Sequence, residues 1–552
     1  MSERGGGFLD VEAAAGLAVY GARAFPGAEE ARGRLVADRV PGLLVAKDPT
    51  LWGPDAEPEA KVRLGWIDTH RRSRELVRPL ADLRERLHAA GLTRVVLAGM
   101  GGSSLAPEVV ARTLGVPLTV LDTTDPQAVR AALRDRLAET VVVVSSKSGT
   151  TIETDSHRRA YLQAFTDADL PDIGQRFVVV TDPGSPLEQV GRDMGANLIL
   201  ADPEVGGRYS ALTAFGLVPT ALAGVDVAPL LDEAEALWSA LGRDENNPAL
   251  ALGAAIGAAA LAGRDKESLA EDGSGIVGLG DWAEQLIAES TGKNGAGVLP
   301  VVVESPTAPG ITGPDALTTT VGGALPPGAV PGAGVTPHLA VNGPLGAQFL
   351  AWEYAIAVVG RLLGVNPFDQ PNVAESKENT RRILESGISP REPAFVSGAI
   401  EVYGEDIGHA STVDGVLGWL LARVDPTGYL AVMAYLDRHG DADAAKLRAR
   451  LAGRTDRPVT FGWGPRFLHS AGQYHKGGTP NGSFLQITGA VTDDLPVPGQ
   501  PYSFGQLQAA QAAGDRQALT NRGRPLVHLH LTDRAAGVAQ LLAAADALPN
   551  VT

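Results

Sequence analysis

The stretch VVVVSSKSGTTIET, residues 141–154, decides the fold class. Its four consecutive valines predict a buried strand, because a strand that is covered on both faces shows a continuous apolar run and no alternation. The residues that follow are small and hydroxylated, and a helical pattern comes after them. A strand that leads through a polar loop into a helix is the repeating unit of a doubly wound, parallel α/β sheet.

The same unit recurs on both sides of this stretch, in RVVLAGMGG, LTVLDTT and RFVVVTDPGS, and a second series runs from about residue 274 to the C-terminus. We therefore predict an α/β protein with two doubly wound parallel-sheet lobes and a helical N-terminal segment. The predicted domains are a helical or irregular segment at residues 1–60, a first α/β domain at residues 61–240 and a second α/β domain at residues 241–552. The Pro- and Gly-rich residues 305–337 are predicted to form a long irregular loop.

The composition and charge of the 552-residue chain narrow the function classes. Its formal net charge is −17, which argues against a nucleic-acid-binding protein because no basic field would attract a polyanion. It contains no cysteine, which excludes disulfides and thiolate metal sites and is consistent with a cytoplasmic location. Neither a signal peptide nor an apolar run of membrane-spanning length is visible, so we expect no membrane association.

A first glycine turn connects a strand to a helix in VVLAGMGGSSLAPEVV, residues 95–110. Free backbone N–H groups at such a turn can bind an anion. Gly99 and Gly101 match the first two positions of the dinucleotide motif G-x-G-x-x-G. Asp122 lies near the expected position of the ribose-binding acid, but Ser104 occupies the third glycine position. On this motif alone, a nicotinamide cofactor and simple close packing of helix on strand both stay open.

The loop after the four valines favours a phosphate over a dinucleotide. It offers five hydroxyl groups, one lysine and one glycine between residues 145 and 151. Hydroxyls can donate to phosphate oxygens, Gly149 permits close approach of the main chain, and the helix that follows presents its positive end. A Ser or Thr N-cap would account for only one of the hydroxyls. Two such loops at the carboxyl edge of one sheet predict a site for a small monophosphate.

The two loops, GMGGSSLAP and SSKSGTTIET, resemble those of the sugar isomerase (SIS) fold, and in particular those of the glucose-6-phosphate isomerase family. The resemblance covers about residues 60–380 and resumes near residue 466. Three further segments carry it: GGRYSALTAFGL, EQLIAESTGKNGAG and NPFDQPNVAESKENT. It implies an aldose–ketose isomerase that interconverts glucose 6-phosphate and fructose 6-phosphate through a cis-enediol, as in glycolysis and gluconeogenesis, and that needs no cofactor or metal.

The resemblance also implies roles for individual residues. Glu289 would be the base, since one carboxylate can remove a proton and return it to the neighbouring carbon. Arg208 would stabilise the charge that develops on the substrate oxygen. Gln285 would contact the substrate, and Gln370 and Lys377 would line the sugar end. The residues implied to hold the phosphate are Gly102, Ser103, Ser146, Lys147, Ser148 and Thr151.

The histidine that opens the sugar ring is displaced along this chain. In the family it lies between the glutamate and the lysine, where this chain has only His338, but RFLHSAGQYHKGG at residues 466–478 has the more similar surroundings. We expect His469 to open the ring together with Lys377, with His475 and His338 as alternatives. The family supplies this histidine from the neighbouring subunit. A homodimer is therefore implied, and the altered segment order leaves the subunit of origin open.

Other functions are weighed against this one. A non-catalytic, phosphosugar-binding regulatory protein would keep both loops but would need neither Glu289 nor Lys377. A bifunctional phosphoglucose/phosphomannose isomerase would use the same base. A nicotinamide-dependent dehydrogenase is disfavoured by Ser104 and by the second phosphate loop. His528 and His530 alternate on a predicted strand, but two histidines without a nearby acid are weak evidence for a metal site.

Overall fold

The computed structural model describes residues 10–326, 328–329, 331, 337–388, 390–404 and 407–549, without the side chains of residues 373 and 374. Within these residues the chain forms three β-sheets. The strands are β1 (Val11–Ala14), β2 (Leu17–Tyr20), β3 (Arg94–Gly99), β4 (Thr119–Leu121), β5 (Thr140–Ser145), β6 (Phe177–Thr181), β7 (Asn197–Leu200), β8 (Lys266–Glu271), β9 (Leu299–Val303), β10 (Ala316–Gly322), β11 (Leu339–Asn342), β12 (Phe395–Ser397), β13 (Ile400–Tyr403), β14 (Tyr429–Tyr435), β15 (Val459–Trp463), β16 (Gly482–Gly489) and β17 (Leu526–Leu531).

The α-helices surround these sheets. They are α1 (Ala28–Ala37), α2 (Val40–Val45), α3 (Glu57–Ala60), α4 (Thr69–Arg72), α5 (Val77–Ala89), α6 (Leu105–Leu114), α7 (Pro126–Arg134), α8 (Ile152–Asp167), α9 (Pro186–Asp193), α10 (Ala214–Ala223), α11 (Ala228–Leu241), α12 (Pro248–Leu261), α13 (Leu279–Thr291), α14 (Leu345–Leu363), α15 (Val373–Ser386), α16 (Val413–Leu421), α17 (Leu447–Ala452), α18 (Gly472–Gly477), α19 (Phe504–Thr520) and α20 (Arg534–Ala547). Among the helices described, none combines the length and apolar character that a membrane span requires.

The first sheet confirms the parallel, doubly wound arrangement predicted from the four valines. Its five strands run parallel in the order β4-β3-β5-β6-β7. Strand β5 is buried along its whole length, and α8 follows it. Gly99 at the end of β3 is in register with Ser145 at the end of β5. The glycine turn and the hydroxyl-rich loop therefore start side by side at one sheet edge.

The second sheet has the strand order β1-β2-β11-β10-β8-β9. Its β1–β2 hairpin belongs to residues 1–60, which were predicted to be helical or irregular, and four-residue strands are too short to show a clear period. Strand β10 lies inside residues 305–337, so the prediction of a wholly irregular loop was wrong. The β-branched residues of ALTTTVG carry that strand, and the surrounding Pro and Gly hid it from the sequence pattern.

The third sheet has the strand order β12-β13-β17-β16-β14-β15, with β14 to β17 parallel. Residues 241–552, predicted as one lobe, therefore contain two sheets, and the count of two sheet lobes is corrected to three sheets. The physical reason is size, because a single hydrophobic core seldom extends over a segment of about 300 residues. The domain boundaries themselves stay a prediction.

The third sheet packs against the second through a shared hydrophobic cluster. The cluster joins Val301 of β9 and Met433 of β14 to Phe467 and Tyr474, which follow β15. A short 3-10 turn, Arg466–His469, starts just beyond the carboxyl end of β15 and leads towards α18. This packing brings the segment that carries His469 to the edge of the first sheet.

Candidate active site

Hydrogen bonds among its own hydroxyl groups organise the loop between β5 and α8. Ser146 Oγ and Thr151 Oγ1 share a hydrogen bond of 2.9 Å, and Gly149 N donates to Ser146 Oγ at 3.2 Å. Thr151 is the N-cap residue of the 16-residue helix α8, but no side chain caps the helix. The first N–H groups of α8 are therefore free of a capping side chain, which is the arrangement that binds an anion.

A cleft of ≈ 260 Å³ lies at this loop and collects residues from distant parts of the chain. Its lining residues are Ser148, Thr150, Thr151, Ile152, Glu153, Ser376, Lys377, Thr380, Arg381, Leu468, His469 and Gln511. Four of them, Ser148, Thr151, Lys377 and His469, were predicted as site residues from the sequence. Their convergence places hydroxyl groups, a lysine and a histidine around one cavity.

His469 and Glu153 are paired directly in this cleft. His469 Nε2 donates to Glu153 Oε1 at 3.0 Å, and Gln511 Nε2 donates to the same oxygen at 2.7 Å. Burial by itself would raise the pKa of Glu153, but the charge and hydrogen bond of His469, with the charge of Lys377, outweigh it and lower the pKa to about 2. The ionised carboxylate binds Nε2 and so holds the imidazole in one orientation. The other ring nitrogen, Nδ1, makes no bond to Glu153.

His475 lies in a different environment, although it is only six residues further along the chain. Its ring is buried against Tyr429 and Phe484. Neither ring nitrogen has a hydrogen-bond partner among the described residues. Burial lowers the pKa of His475 to about 3. A neutral, enclosed imidazole of this kind fills a core position, and His475 does not line the cleft.

The remaining histidines singled out from the sequence also have local partners. Thr318 N donates to His338 Nδ1 at 3.0 Å at the start of β10, away from the cleft lining. His528 Nε2 and His530 Nδ1 lie 2.9 Å and 2.8 Å from Thr488 Oγ1. In the part of the chain that the structure describes, no group of three or more His, Asp or Glu side chains is arranged to hold a metal ion.

Glu289 and Arg208 form a buried ion pair beside the cleft. Arg208 Nη1 lies 3.4 Å from Glu289 Oε2, and Gln285 Nε2 donates to the same oxygen at 3.2 Å. Burial raises the pKa of Glu289, and the positive charges of Arg208, His469 and Lys377 partly offset this effect. Gln285, which donates to Glu289, and the main chain of His469 both lie against Gly101, so Glu289 lies close to the cleft although it is not one of the lining residues.

The loop that follows α14 fixes the guanidinium of Arg208. Nη2 donates to Pro367 O at 2.6 Å and to Asp369 O at 2.9 Å, and Nη1 donates to Gln370 Oε1 at 2.5 Å. Nε donates to Ser290 Oγ at 2.9 Å. Gln370, predicted to line the sugar end, thus contacts Arg208. These hydrogen bonds hold the guanidinium of Arg208 rigidly next to the carboxylate of Glu289.

The first glycine loop lies between the buried ion pair and the cleft. Gly101 has a φ of +54°, and a Cβ there would lie 2.7 Å from Gln285 Nε2 and 2.9 Å from His469 O. A Cβ on Gly102 would lie 1.9 Å from Gly207 O. Glycine is therefore required at both positions by close approach. The loop brings Gln285 and the His469 main chain together, and Gly102 does not line the cleft.

Three further residues predicted to hold phosphate are placed outside the cleft lining. Lys147 Nζ donates to Asp182 Oδ2 at 2.5 Å and to Pro203 O at 3.4 Å. Burial lowers the pKa of Lys147, an effect that Asp182 opposes. Ser103 and Ser146 are buried. The sequence did not reveal the pairing of Lys147, because Asp182 follows the neighbouring strand β6 and is adjacent only in space.

Glu153 and Gln511 are among the cleft residues to which sequence analysis gave no role. Glu153 directly follows the hydroxyl-rich loop and lies in the first turn of α8. Its proximity to that loop was a usable signal. Gln511 lies in the alanine-rich part of α19, which carries no motif, and only the packing of α19 brings it to Glu153.

Comparison with known proteins identifies the family. A family model described as phosphoglucose isomerase matches residues 85–313. The glucose-6-phosphate isomerase of Rubrobacter xylanophilus is 31% identical over 375 residues, which cover 56% of this chain and 86% of that protein. The chain belongs to the phosphoglucose isomerase family.

Other family members match shorter regions. The "probable glucose-6-phosphate isomerase" of Haloarcula marismortui is 33% identical over 231 residues, or 41% of this chain and 51% of that protein. The glucose-6-phosphate isomerase of Gloeothece citriformis is 30% identical over 295 residues, or 49% of this chain and 53% of that protein. The chain thus spans about half the length of these two relatives.

Solved structures of similar fold include a phosphoglucose isomerase family member. The glucose-6-phosphate isomerase of Chlamydia trachomatis aligns with a TM-score of 0.56 at 19% identity, over 68% of this chain and 90% of that one. A "hypothetical protein" from Thermus thermophilus aligns with a TM-score of 0.53 at 27% identity, over 65% of this chain and 95% of that one. These similarities support the SIS-type α/β fold.

Proposed function

We propose that this phosphoglucose isomerase family member interconverts glucose 6-phosphate and fructose 6-phosphate through a cis-enediol. The observation that carries the proposal is the convergence, at one cleft, of an uncapped helix N-terminus, the His469–Glu153 pair and Lys377, with Glu289 and Arg208 directly beside it. The relatives that match this chain are named glucose-6-phosphate isomerase, which supports the same reaction.

The phosphate binds at the loop before α8. Ser148 and Thr151 line the cleft with their hydroxyl groups, and the N–H groups of the first helical turn lie at the positive end of α8. Ser146 acts indirectly, because its hydroxyl positions Thr151 and Gly149. Lys147 contributes positive charge from outside the cleft, where Asp182 holds it.

Ring opening is assigned to His469 with Lys377. As the bond between C1 and the ring oxygen breaks, the C1 hydroxyl loses its proton and the ring oxygen gains one. A histidine can carry out this exchange near neutral pH. Glu153 accepts a hydrogen bond from Nε2, so Nδ1 is the nitrogen available to the sugar. Lys377 lies in the same lining and adds positive charge beside the developing alkoxide.

Proton transfer between C1 and C2 is assigned to Glu289. Its carboxylate removes a proton from C2 of the open-chain aldose and returns it to C1 of the enediol. In the enediol the proton of the C2 hydroxyl passes to the C1 oxygen, so C2 becomes the carbonyl carbon and no net proton is consumed. Arg208 stabilises the negative oxygen of the enediolate, and Gln285 orients the carboxylate of the base. Burial raises the pKa of Glu289, which makes the carboxylate a stronger base once it is ionised.

The resemblance to the family supports two further parts of the proposal, the homodimer and the lack of a cofactor. The net charge of −17 supports the absence of nucleic-acid partners, the lack of cysteine supports a cytoplasmic location, and the lack of an apolar run of membrane-spanning length supports the absence of membrane partners. The regulatory, non-catalytic alternative is disfavoured because the buried ion pair of Glu289 and Arg208 has no role in phosphate binding alone. Isomerisation of mannose 6-phosphate would use the same residues. The assay described next determines whether the chain has this activity.

The test is a direct measurement of fructose 6-phosphate formed from glucose 6-phosphate by the purified chain. No nicotinamide is added to the isomerase step, and mannose 6-phosphate is assayed in parallel. Formation of fructose 6-phosphate supports the proposal. Tight binding of either phosphosugar without conversion would identify a regulatory protein instead. Conversion of both substrates would identify the bifunctional isomerase.

A further inference from the structure

The turn that carries His469 is anchored in its own chain by Arg466, whose side chain is only 11% exposed. Arg466 Nη1 donates to Glu108 Oε2 at 2.6 Å and to Asp122 Oδ2 at 2.5 Å. Glu108 lies on α6 and Asp122 directly follows β4, so both acids belong to the first sheet's unit. The arginine's charge lowers the pKa of Glu108, against its burial, to about 2. Two charge-assisted hydrogen bonds from one guanidinium to acids of the first sheet's unit form a strong clamp.

Contacts on the other side of His469 reinforce this clamp. Ser470 Oγ donates to Glu284 Oε1 at 2.6 Å, and Glu284 is next to Gln285 on α13. The main-chain oxygen of His469 lies against Gly101, where a Cβ would be only 2.9 Å away. The imidazole, its carbonyl and both flanking segments are therefore held by residues of the first and second sheets. His469 has a single, pre-organised position in the cleft.

The path of the chain also favours an intramolecular site. Lys377 lies on α15, and α15 packs on α19 of the third sheet's unit, where Arg382 Nη2 donates to Gln517 Oε1 at 2.7 Å. Only the nine residues 364–372 join α15, and with it the third sheet's unit, to α14. A connection this short gives that unit an effective concentration on the order of millimolar at the first two sheets of its own chain. An exchange of the third sheet's unit between two chains would have to compete with this favoured intramolecular contact.

We infer that His469 acts in its own chain, so that each chain carries a complete site and ring opening needs no residue from a second copy. The inference rests on the proposed function. It assigns Arg466 as a positioning residue, which acts on the sugar only through His469. The altered segment order places His469 after Lys377 in the chain. The anchored turn positions His469 in the cleft of the same chain.

Two inactive variants, Glu289→Gln and His469→Ala, test this inference when they are combined. Each variant carries a different affinity tag, the two are co-expressed, and mixed oligomers are purified on both tags in sequence. If the histidine acts in its own chain, every site in the mixed species keeps one defect, and turnover of glucose 6-phosphate stays at the level of the parents. If it crosses to the partner, one of the two sites regains both groups, and about half of the wild-type turnover returns.

Controls separate this inference from the proposed function. A mixed species of wild-type and Glu289→Gln chains must keep about half of the wild-type turnover in either arrangement. An inactive wild-type chain would overturn the proposed function, and this inference with it. An active wild-type chain that runs as a monomer at assay concentration would establish the inference without mixing. Normal turnover by His469→Ala, or regained activity in the mixed species, would overturn it.

Arg466 offers a second readout that a merely structural role would not change. Arg466→Lys keeps the positive charge but replaces the planar guanidinium with one ammonium nitrogen on a shorter reach. The guanidinium bonds Glu108 and Asp122 through Nη1 and places Nη2 3.6 Å from Asp281. We expect kcat on ring-closed glucose 6-phosphate to fall at least about 10-fold, with KM and turnover of an acyclic analogue little changed. Equal losses on both substrates would contradict the positioning role.

Discussion

The hydrogen bond of 3.0 Å between His469 Nε2 and Glu153 Oε1 joins two residues that are 316 positions apart in the chain. Glu153 belongs to the unit that we propose to bind the phosphate, and His469 belongs to the segment that follows β15 of the third sheet. Their pairing places the proposed ring-opening group next to the proposed anion site. The cleft therefore depends on the packing of two separate sheets, and its function can be tested one residue at a time.

Replacement of Glu289 by glutamine tests the base. Glu289→Gln keeps the size and the polar contacts of the side chain but removes the group that accepts the proton. General base catalysis contributes about 10²–10⁴-fold, so we expect kcat to fall at least about 100-fold while the Kd for fructose 6-phosphate stays within a few-fold. Steady-state kinetics and calorimetry measure the two quantities. Glu30→Gln, at an exposed helix position with 78% of its side chain accessible, is the matched control. Turnover near the wild-type level would reject the base assignment.

A set of three alanine variants distinguishes the candidate histidines. His469→Ala should slow the turnover of ring-closed glucose 6-phosphate more than that of an acyclic analogue, because only the closed ring needs opening. His475→Ala removes a buried ring and should mainly lower the melting temperature. His338→Ala should change neither the relative turnover of the two substrates nor the melting temperature. The measurement is the kcat for each substrate with each variant. Substrate selectivity in His338→Ala or His475→Ala, but not in His469→Ala, would identify a different ring-opening residue.

The phosphate loop predicts a difference between two alanine variants. Thr151→Ala removes a cleft hydroxyl and its bond to Ser146, so KM should rise several-fold with kcat nearly constant, as expected when ground-state binding is lost. Lys147→Ala should raise KM less, because the ammonium is paired with Asp182 outside the lining. Initial-rate kinetics at low and high salt distinguish the KM effects of the two variants. A larger KM effect for Lys147→Ala would mean that this lysine turns towards the phosphate when substrate binds.

Glu267 predicts a pH dependence of stability that is unrelated to catalysis. Burial raises the pKa of Glu267 from 4.5 to about 8, and its side chain bonds Thr319 Oγ1 at 3.1 Å. The folded state binds this proton more tightly than the unfolded state, so stability falls as pH rises from about 4.5 to 8. Glu267→Gln removes this dependence.

At pH 7 the gain in unfolding free energy from Glu267→Gln should approach about 3 kcal/mol, with little gain near pH 4.5. Urea denaturation of wild-type and variant at pH 5 and pH 7 measures the difference. The exposed control Glu30→Gln should show no such trend. A stability difference that is the same at both pH values would show that Glu267 does not take up a proton in the folded state.

The sequence alone was sufficient for the first sheet and for naming the candidate groups of the site. The valine run of β5 determines its burial, and the hydroxyls after it predict an anion site, because both depend on local side-chain composition. Glu289, Arg208 and Lys377 were found through short motifs that stay contiguous in the chain. Two lobes were predicted where three sheets exist, since the strand pattern does not reveal which strands pair.

Only the tertiary structure decided which predicted residues share the cleft. The choice of His469 over His475 could not be read from RFLHSAGQYHKGG, because both imidazoles suit the chemistry and only packing buries one against aromatic rings. The pairing of Lys147 with Asp182 and the contact of Gln511 with Glu153 depend on neighbouring strands and helices. Sequence spacing determined which chemical groups are available, and the packing of three sheets determined which of them meet, because side chains distant along the chain approach each other only through the fold.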